Sequence, residues 1–319
     1  MGAFIVRRLI VNAGVFLLIT VGIFALVHAA PGDPVRMMIN PEQAAGGGAA
    51  FIARQRHLLG LDQLLPIQYW NWLVNAVHGQ LGYSYLQGRP VTAVIGERVG
   101  PTVELMGLAI VVSLAVGIPL GIIAAVRRNT VADYGATVFS LGAISIPPFF
   151  LGITAIYLFS LKWNLLPSAG MSTPGTSSVG DLARHLVLPV LILGLAAAGP
   201  ITRFTRSGLI GELAEDYVRT AEAKGASRAR VVLRHGFRNS LLPLITVIAM
   251  SIPTLLAGAV VIEQVFAWPG MGQLAISSIT QNDYPVVIGF SLYIAALVLF
   301  CNLAADVLYA VADPRVNLA

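Results

Sequence analysis

The sequence predicts an all-α polytopic membrane protein with six transmembrane helices. Hydrophobic residues make up 56% of its 319 residues and charged residues only 11%, whereas about 25% of the residues of a soluble protein are charged. Six stretches contain no charged residue, and each is long enough to cross a bilayer core of about 30 Å as a helix. They are continuously apolar instead of alternating, which favours helices over the strands of a β-barrel. The stretches are 9–32, 105–126, 135–161, 186–202, 239–262 and 284–305.

Between the first two spans lies segment 33–104, which we assign to the extracytoplasmic side. It begins within the turn sequence PGDP at 31–34, where proline and glycine stop the first helix. Apolar residues then recur at helical spacing together with Tyr69, Trp70 and Trp72, which predicts a helix at the outer headgroup level. This helix is either an interface anchor or a docking surface for an external partner.

The third span contains a Pro-Pro pair at 147–148, and proline interrupts other spans as well. Bent or broken helices can line a polar cavity inside a membrane protein. Ser140, Ser145 and Thr154 on this span are therefore candidates for lining a translocation pathway. Plain helix packing is the alternative role for the same hydroxyl groups.

Loop 203–238 is the largest feature that we assign to the cytoplasmic side. Helix-forming residues at 221–226 are interrupted only by Gly225, which predicts a helix end or a sharp turn. We interpret the loop as a helix–turn–helix platform for a cytosolic partner, with a solvated linker as the alternative. With both termini cytoplasmic, the 66 inner residues hold 13 Lys and Arg and the 117 outer residues hold 7, in agreement with the positive-inside rule.

The sequence lacks the motifs of the common enzyme classes. A P-loop needs Gly-Lys-Ser or Gly-Lys-Thr, and the only lysines, Lys162 and Lys224, are followed by Trp and Gly. The zinc motif HExxH and the hydrolase motif GxSxG are also absent. We therefore predict no catalytic residue, no metal site and no cofactor in this chain. The basic residues flank spans and lack interleaved aromatics, so nucleic-acid binding is not expected.

Three acidic residues lie just beyond the ends of spans, namely Glu104, Glu263 and Asp306. We expect them to reach water there or to pair with an arginine. Because no ionisable acidic or basic group lies deep within a span, an ion-coupled carrier is disfavoured.

Short motifs distributed along the chain carry a resemblance to a known family. The most specific is DYVRTAEAKGAS at 216–227, followed by RH at 234–235 and LP at 242–243. Others are RRL at 7–9, PGDP at 31–34, QLGYS at 80–84, SIPPF at 145–149, WNLLP at 163–167, FAWPGMG at 266–272 and DPR at 313–315. With these motifs the chain resembles the inner-membrane permease subunits of peptide-type ABC importers, a group that serves dipeptides and oligopeptides.

The resemblance implies a type I ABC importer permease fold with a cytoplasmic segment that couples to an ATPase. The Glu-Ala-Ala triplet that gives this segment its name in the family reads Arg219-Thr220-Ala221 here, whereas the glycine that follows is kept as Gly225. The implied coupling residues are Arg219, Thr220, Ala221, Glu222, Ala223, Lys224, Gly225, Ala226 and Ser227.

The resemblance also implies partners at a bacterial inner membrane. These are a second homologous permease subunit, two cytosolic ATPase subunits that bind ATP and Mg, and an extracytoplasmic substrate-binding protein. We predict that the binding protein docks on aromatic and apolar residues of the external segments. The predicted docking residues are Tyr69, Trp70, Trp72, Trp268 and Met271.

The expected function is half of a translocation pathway for peptides that works by alternating access. Permeases for nickel complexes, glutathione or opines are alternatives within the family. A self-contained secondary carrier or channel and a purely structural scaffold are alternatives outside it. The expected organisation is a cytoplasmic end and first helix at 1–32, external segment 33–104, a core of five spans at 105–312 and a tail at 313–319.

Overall fold

The structure is a computed structural model that describes residues 2–29, 53, 54, 57, 62–176 and 178–312. The predicted turn at 31–34 and the tail at 313–319 lie outside the described residues. Within these ranges the regular structure is helical, apart from a single β-bridge between Tyr83 and Pro90.

Ten α-helices of eight or more residues form the described part of the chain. They are α1 (Gly2–Ala29), α2 (Leu65–Val77), α3 (Val91–Val126), α4 (Val131–Ser145), α5 (Pro148–Ala155), α6 (Val179–Leu213), α7 (Asp216–Ala223), α8 (Arg238–Val265), α9 (Met271–Thr280) and α10 (Tyr284–Ala312). Helix α5 continues into π-helical turns at Ile156–Lys162. A helical turn at Arg228–Arg230 and π-helical residues Val231–Phe237 lead directly into α8.

Five of these helices, α1, α3, α6, α8 and α10, contain segments long and apolar enough to cross a membrane. The predicted third span is broken: α4 meets α5 and its π-helical extension at an angle of 97°, and together the two pieces count as a sixth span. Pro147 lacks the N–H group that would continue α4, and Ile146 before it adopts an extended backbone. The predicted all-α polytopic class is confirmed, but the third span is not straight.

The described residues fall into two compact units. The first unit comprises Val99–Gln273 with residues 2–8 and 298–312, and α6 lies at its centre between α4 and α8. Small residues allow these helices to approach closely. A Cβ atom added at Gly194 of α6 would lie 3.0 Å from the carbonyl oxygen of Ala109 on α3, and one at Gly199 would lie 2.9 Å from the carbonyl oxygen of Ser140 on α4.

The first unit also contains an ion pair that joins two helix ends. The Arg206 guanidinium on α6 donates to both carboxylate oxygens of Asp133 in the first turn of α4, at 2.5 and 2.8 Å. The backbone N–H of Asn129 donates to the same carboxylate at 2.9 Å. Asp133 is buried, so this bidentate geometry satisfies a carboxylate that would otherwise be costly to bury.

The second unit comprises residues 9–29, the described part of 53–98, and Leu274–Leu297. Helix α2 packs on α1: the Tyr69 and Thr20 hydroxyls are 2.9 Å apart, and Phe24 contacts the rings of Tyr69 and Trp72. Asp283, just before α10, is buried and accepts hydrogen bonds from the Ser84 hydroxyl at 2.5 Å and from the Tyr85 N–H at 3.0 Å. The QLGYS motif is thus fixed to the start of α10.

Candidate functional site

The predicted coupling segment forms a short helix that ends in a left-handed glycine. Helix α7 ends at Ala223, and Gly225 has a φ of +79°. The Gly225 N–H donates to the Glu222 carbonyl at 2.9 Å, and the Ala226 N–H donates to the Ala221 carbonyl at 3.2 Å. This pair of bonds is a Schellman motif, in which glycine is favoured because other residues rarely adopt a positive φ. The helix and the turn predicted from the sequence are confirmed.

One side of α7 is anchored to the rest of the first unit. Val218 is buried. The Tyr217 hydroxyl donates to the Glu212 carboxylate at the end of α6 and is 3.2 Å from the carbonyl oxygen of His235. Burial, followed by the hydrogen bond to Glu212, raises the pKa of the Tyr217 phenol. The phenol therefore stays protonated at neutral pH and can act as the donor in these bonds.

A small apolar core lies at the end of α3 and includes residues of the π-helical segment that contacts α7. Ala125, Leu209 and Val232 are buried together, with Leu213 and Phe237 packed against them. This core joins the ends of α3 and α6 to the residues that lead into α8.

The other side of α7 is open and polar. Most of the predicted coupling residues are exposed, and Ala221 and Ala226 are half-buried. Arg219 pairs with Asp216 at 3.3 Å, one turn earlier in the helix, and Lys224 is exposed at the helix end. A short, capped and anchored helix with a charged outer face is a surface suited to contact another protein.

The three pathway candidates lie in different environments. Ser140 is buried, and its hydroxyl donates to the Gly199 carbonyl at 2.7 Å. Its hydroxyl therefore serves helix packing, and the prediction that it lines a pathway is corrected. Ser145 is exposed at the end of α4, directly before the break between α4 and α5, and Thr154 is half-buried on α5. For these two residues the pathway role stays a prediction.

The aromatic residues of α2 divide into two groups. Tyr69 and Trp72 are half-buried against α1, whereas 63% of Trp70 is exposed. The alternative of a structural anchor therefore fits the first two, and Trp70 remains available for docking.

Trp268 and Met271 are fully buried. The Trp268 indole N–H donates to the Pro101 carbonyl at 3.0 Å, and the Met271 N–H donates to the Thr102 hydroxyl at 2.8 Å. Side chains without exposed surface cannot contact a docked protein in this conformation. The prediction that these two residues dock is therefore corrected: they fix the turn after α8 against α3.

Sequence reasoning misplaced Glu263, which lies inside α8 and has no exposed surface. Its carboxylate accepts hydrogen bonds from the Thr102 hydroxyl at 2.6 Å and from the Gly272 and Gln273 N–H groups at 2.7 and 3.2 Å. The expectation that it reaches water is wrong. The glycines of the FAWPGMG motif were the available signal, because Gly270 and Gly272 leave room for the carboxylate and for the close approach of α8. Asp306 does pair with an arginine, Arg8, at 3.1 Å.

Comparison with known proteins identifies the family of this chain. Residues 117–318 match the family described as the binding-protein-dependent transport system inner membrane component, and residues 1–106 match the N-terminal family of these membrane components. The chain belongs to this family. It is a multi-pass membrane component of a transport system.

Curated relatives cover nearly the whole chain. The oligopeptide transport system permease protein AppB of Bacillus subtilis is 39% identical over 319 residues, covering 99% of this chain and 100% of that protein. The dipeptide transport system permease protein DppB of Escherichia coli K12 is 38% identical over 341 residues, with 98% of both covered. The glutathione transport system permease protein GsiC of another Escherichia coli strain, CFT073, is 39% identical over 314 residues, again with 98% of both covered.

A solved structure shares the fold. A chain of the MetNI methionine ABC transporter, in a crystal form described as inward facing, aligns with a TM-score of 0.53 and 17% identity over 69% of this chain and 96% of that chain. A second crystal form of the same transporter gives the same values. The predicted type I ABC importer permease fold is therefore confirmed.

Proposed function

We propose that this chain is a permease subunit of an ATP-driven importer for peptides, and that it forms half of the translocation pathway. The whole-length similarity to permeases named for oligopeptide and dipeptide transport supports this function. The other half would come from a second, homologous permease subunit, and an extracytoplasmic binding protein would deliver the substrate. No covalent bond is made or broken by this chain.

We further propose that α7 is the contact point for cytosolic ATPase subunits, which would bind ATP and Mg. The observation that carries this proposal is the α7–Gly225 structure, which is polar on its outer side and anchored on its inner side. An ATPase that grips the outer side would move α7 as a unit. Tyr217 would then pass the movement to the end of α6 and to the residues before α8, because its hydroxyl contacts both.

This role places α7 on the cytoplasmic side, with both chain termini on the same side. The excess of Lys and Arg in the inner segments supports that orientation. Alternating access would follow when ATP-driven closure of the two ATPases moves α7, and with it the spans that pack around α6.

The decisive test replaces Gly225 by leucine, with Gly211→Leu as the matched control. A Cβ atom at either glycine meets no atom within 4 Å, so neither substitution creates a direct clash. Of the two, Gly225 has a positive φ of +79°, at which an L-residue is strained. Each variant would be co-expressed with the second permease and the ATPase subunits of the same transporter, then purified and reconstituted with the binding protein. We expect Gly225→Leu to lose both the co-purified ATPase and ATP-dependent dipeptide uptake, and Gly211→Leu to keep both.

A further variant separates contact from folding. Lys224→Glu reverses a charge on the exposed end of α7 without entering a packed region, so it should weaken ATPase binding while the protein folds normally. Uptake by Gly225→Leu at the normal rate would contradict the coupling role. Accumulation of solute against a gradient by this chain alone, without ATPases, would instead identify a self-contained carrier.

Glutathione is a second candidate substrate, because the glutathione permease relative is as similar as the oligopeptide one. Competition in the same vesicles distinguishes the two: excess unlabelled glutathione should leave dipeptide uptake unchanged if the system is selective for peptides.

A further inference from the structure

The second unit contains an apolar cavity to which no role has been assigned above. Its volume is about 380 Å³, it is open on one side, and its lining is almost entirely apolar. Four helices contribute to the lining: α1, α2, the first turns of α3, and α10. Representative lining residues are Phe16, Thr20, Trp72, Leu81, Gly96 and Leu292.

The chemistry of the lining excludes a peptide as the occupant. Among the described residues that line the cavity there is no Asp, Glu, Lys, Arg or His, so the charged ends of a peptide would find no partners there. Thr20 is already engaged, since its hydroxyl donates to the Leu17 carbonyl at 2.7 Å and lies 2.9 Å from the Tyr69 hydroxyl. An occupant that fits must be apolar along its length.

The lining combines residues of the predicted spans of α1 and α10 with residues of external segment 33–104 on α2 and α3, so the cavity lies where the predicted spans meet that segment. One end is formed by α2, whose Tyr69, Trp70 and Trp72 are of the residue types that collect at the headgroup level. The other end reaches Phe16 and Ala296, near the middle of the spans of α1 and α10. A bilayer core of about 30 Å has a half-thickness of roughly 15 Å, the depth that one acyl chain occupies.

The cavity is partly open, and one of its walls is an exposed apolar helix. Helix α1, which forms one wall, is a candidate span with few buried residues, and large apolar side chains such as Leu17, Leu18 and Val21 are exposed along it. In a membrane, a wall as apolar as this one is suited to face lipid. An open apolar recess in such a surface is filled by the hydrocarbon that surrounds it, because water would find no polar partners there.

We infer that this cavity is a binding site for one acyl chain of a membrane phospholipid, with the headgroup at the level of α2. The site belongs to the membrane-embedded chain itself and does not depend on which solute is transported. A bound chain would connect α1 and α2 to α10 through apolar contacts within this unit.

Gly96 provides a direct way to fill the cavity. A Cβ atom added at Gly96 meets no atom within 4 Å, and the residue lines the cavity. Gly100, one turn later on α3, is equally free of neighbours but does not line it. Gly96→Phe is therefore the blocking variant and Gly100→Phe its matched control. Ala76→Phe on α2 fills the same cavity from another helix and serves as a second blocking variant.

The full chain would be reconstituted in vesicles of phosphatidylethanolamine and phosphatidylglycerol. The probe is a trace of phosphatidylethanolamine with a diazirine midway along one acyl chain. After illumination, mass spectrometry locates the cross-linked residues. We expect Leu73 and Leu292 in the cavity to be labelled more strongly than Leu18, although 73% of Leu18 is exposed on α1.

We expect Gly96→Phe and Ala76→Phe to lower the cavity labelling about tenfold, the factor that two buried methylene groups contribute to affinity. Gly100→Phe should leave it unchanged.

Three results would overturn the inference. Labelling that follows exposure alone would indicate ordinary contact with bulk lipid. An unlabelled cavity in the unmodified protein would mean that another part of this chain or a partner subunit occupies it. Equal cavity labelling in the unmodified protein and in both blocking variants, with unchanged melting temperatures, would mean that the labelled lipid is not inside.

Discussion

Thr102 and Glu263 are 161 residues apart in the chain and meet through a 2.6 Å hydrogen bond, in which the threonine hydroxyl donates to the carboxylate. The same hydroxyl accepts the N–H of Met271, and the same carboxylate accepts the N–H groups of Gly272 and Gln273. This network joins α3, α8 and the start of α9. It also holds the FAWPGMG motif against α3 and α8.

Replacement of Glu263 by alanine should destabilise the protein by about 3 kcal/mol or more, because each buried donor left without a partner costs about 1–3 kcal/mol. Glu263→Gln should be milder, since its carbonyl oxygen still accepts one bond while its NH₂ group faces the remaining donors. Thermal unfolding of the purified protein in detergent measures both effects. Glu104→Gln, on a half-exposed residue of α3, is the control and should unfold at the normal temperature.

Gly121→Leu should disturb the packing of α3 on α6. A Cβ atom at Gly121 would lie 2.8 Å from the Thr202 carbonyl oxygen and 2.6 Å from the Thr205 Cβ, and overpacking of this kind costs about 1–3 kcal/mol. Gly107→Leu on the same helix, where a Cβ atom meets nothing within 4 Å, should be tolerated. A lower melting temperature for the first variant alone is the expected result. Equal effects of the two variants would argue against the close approach of α3 and α6.

The ion pair between Asp133 and Arg206 should contribute to stability because the carboxylate is buried. Asp133→Asn breaks the bidentate contact and leaves the guanidinium without its counter-charge, which is unfavourable in a partly buried position. Asp216→Asn removes the partner of Arg219 in an exposed pair, where a loss is expected to be small. Melting temperatures should therefore fall clearly for the first variant and hardly for the second. The single variant Arg206→Gln and the double variant Asp133→Asn, Arg206→Gln complete the cycle. If the melting temperature of the double variant falls by at least the sum of the two single decreases, the pair is not coupled.

Asp283→Ala should release the QLGYS segment from the start of α10. Hydrogen exchange at the Tyr85 amide should then accelerate by about tenfold or more, because a hydrogen bond to a charged acceptor contributes about 1.5–3 kcal/mol. Ser84→Ala removes the hydroxyl contact but keeps the hydrogen bond from the Tyr85 N–H to the Asp283 carboxylate. Its effect on exchange at Tyr85 should therefore be smaller. An unchanged exchange rate in Asp283→Ala would show that the segment is held by other contacts.

The membrane-spanning class and the turn at Gly225 could be predicted from sequence because both have local causes. Continuous apolar stretches have few other solutions in a bilayer, and a glycine after helix-forming residues is a common helix end. The break in the third span was visible as a Pro-Pro pair, but its angle depends on how α4 and α5 pack on α6 and α8. No local pattern contains that information.

The roles of Glu263, Trp268 and Met271 could not be predicted, because their environment comes from a distant part of the chain. Each contacts Pro101 or Thr102, more than 160 residues earlier. Aromatic and acidic residues near a span end usually face the interface, and here the contacts to α3 override that tendency. Ser140 is a similar case, since its partner carbonyl at Gly199 belongs to another helix.

The Schellman turn after α7 has a consequence for assembly. Its two hydrogen bonds lie wholly within residues 221–226, so the helix end is complete before any partner arrives. A preformed segment loses little conformational entropy on association. An ATPase that docks on α7, as proposed above, would therefore contact a preformed helix end, and little of its movement would be lost to local refolding.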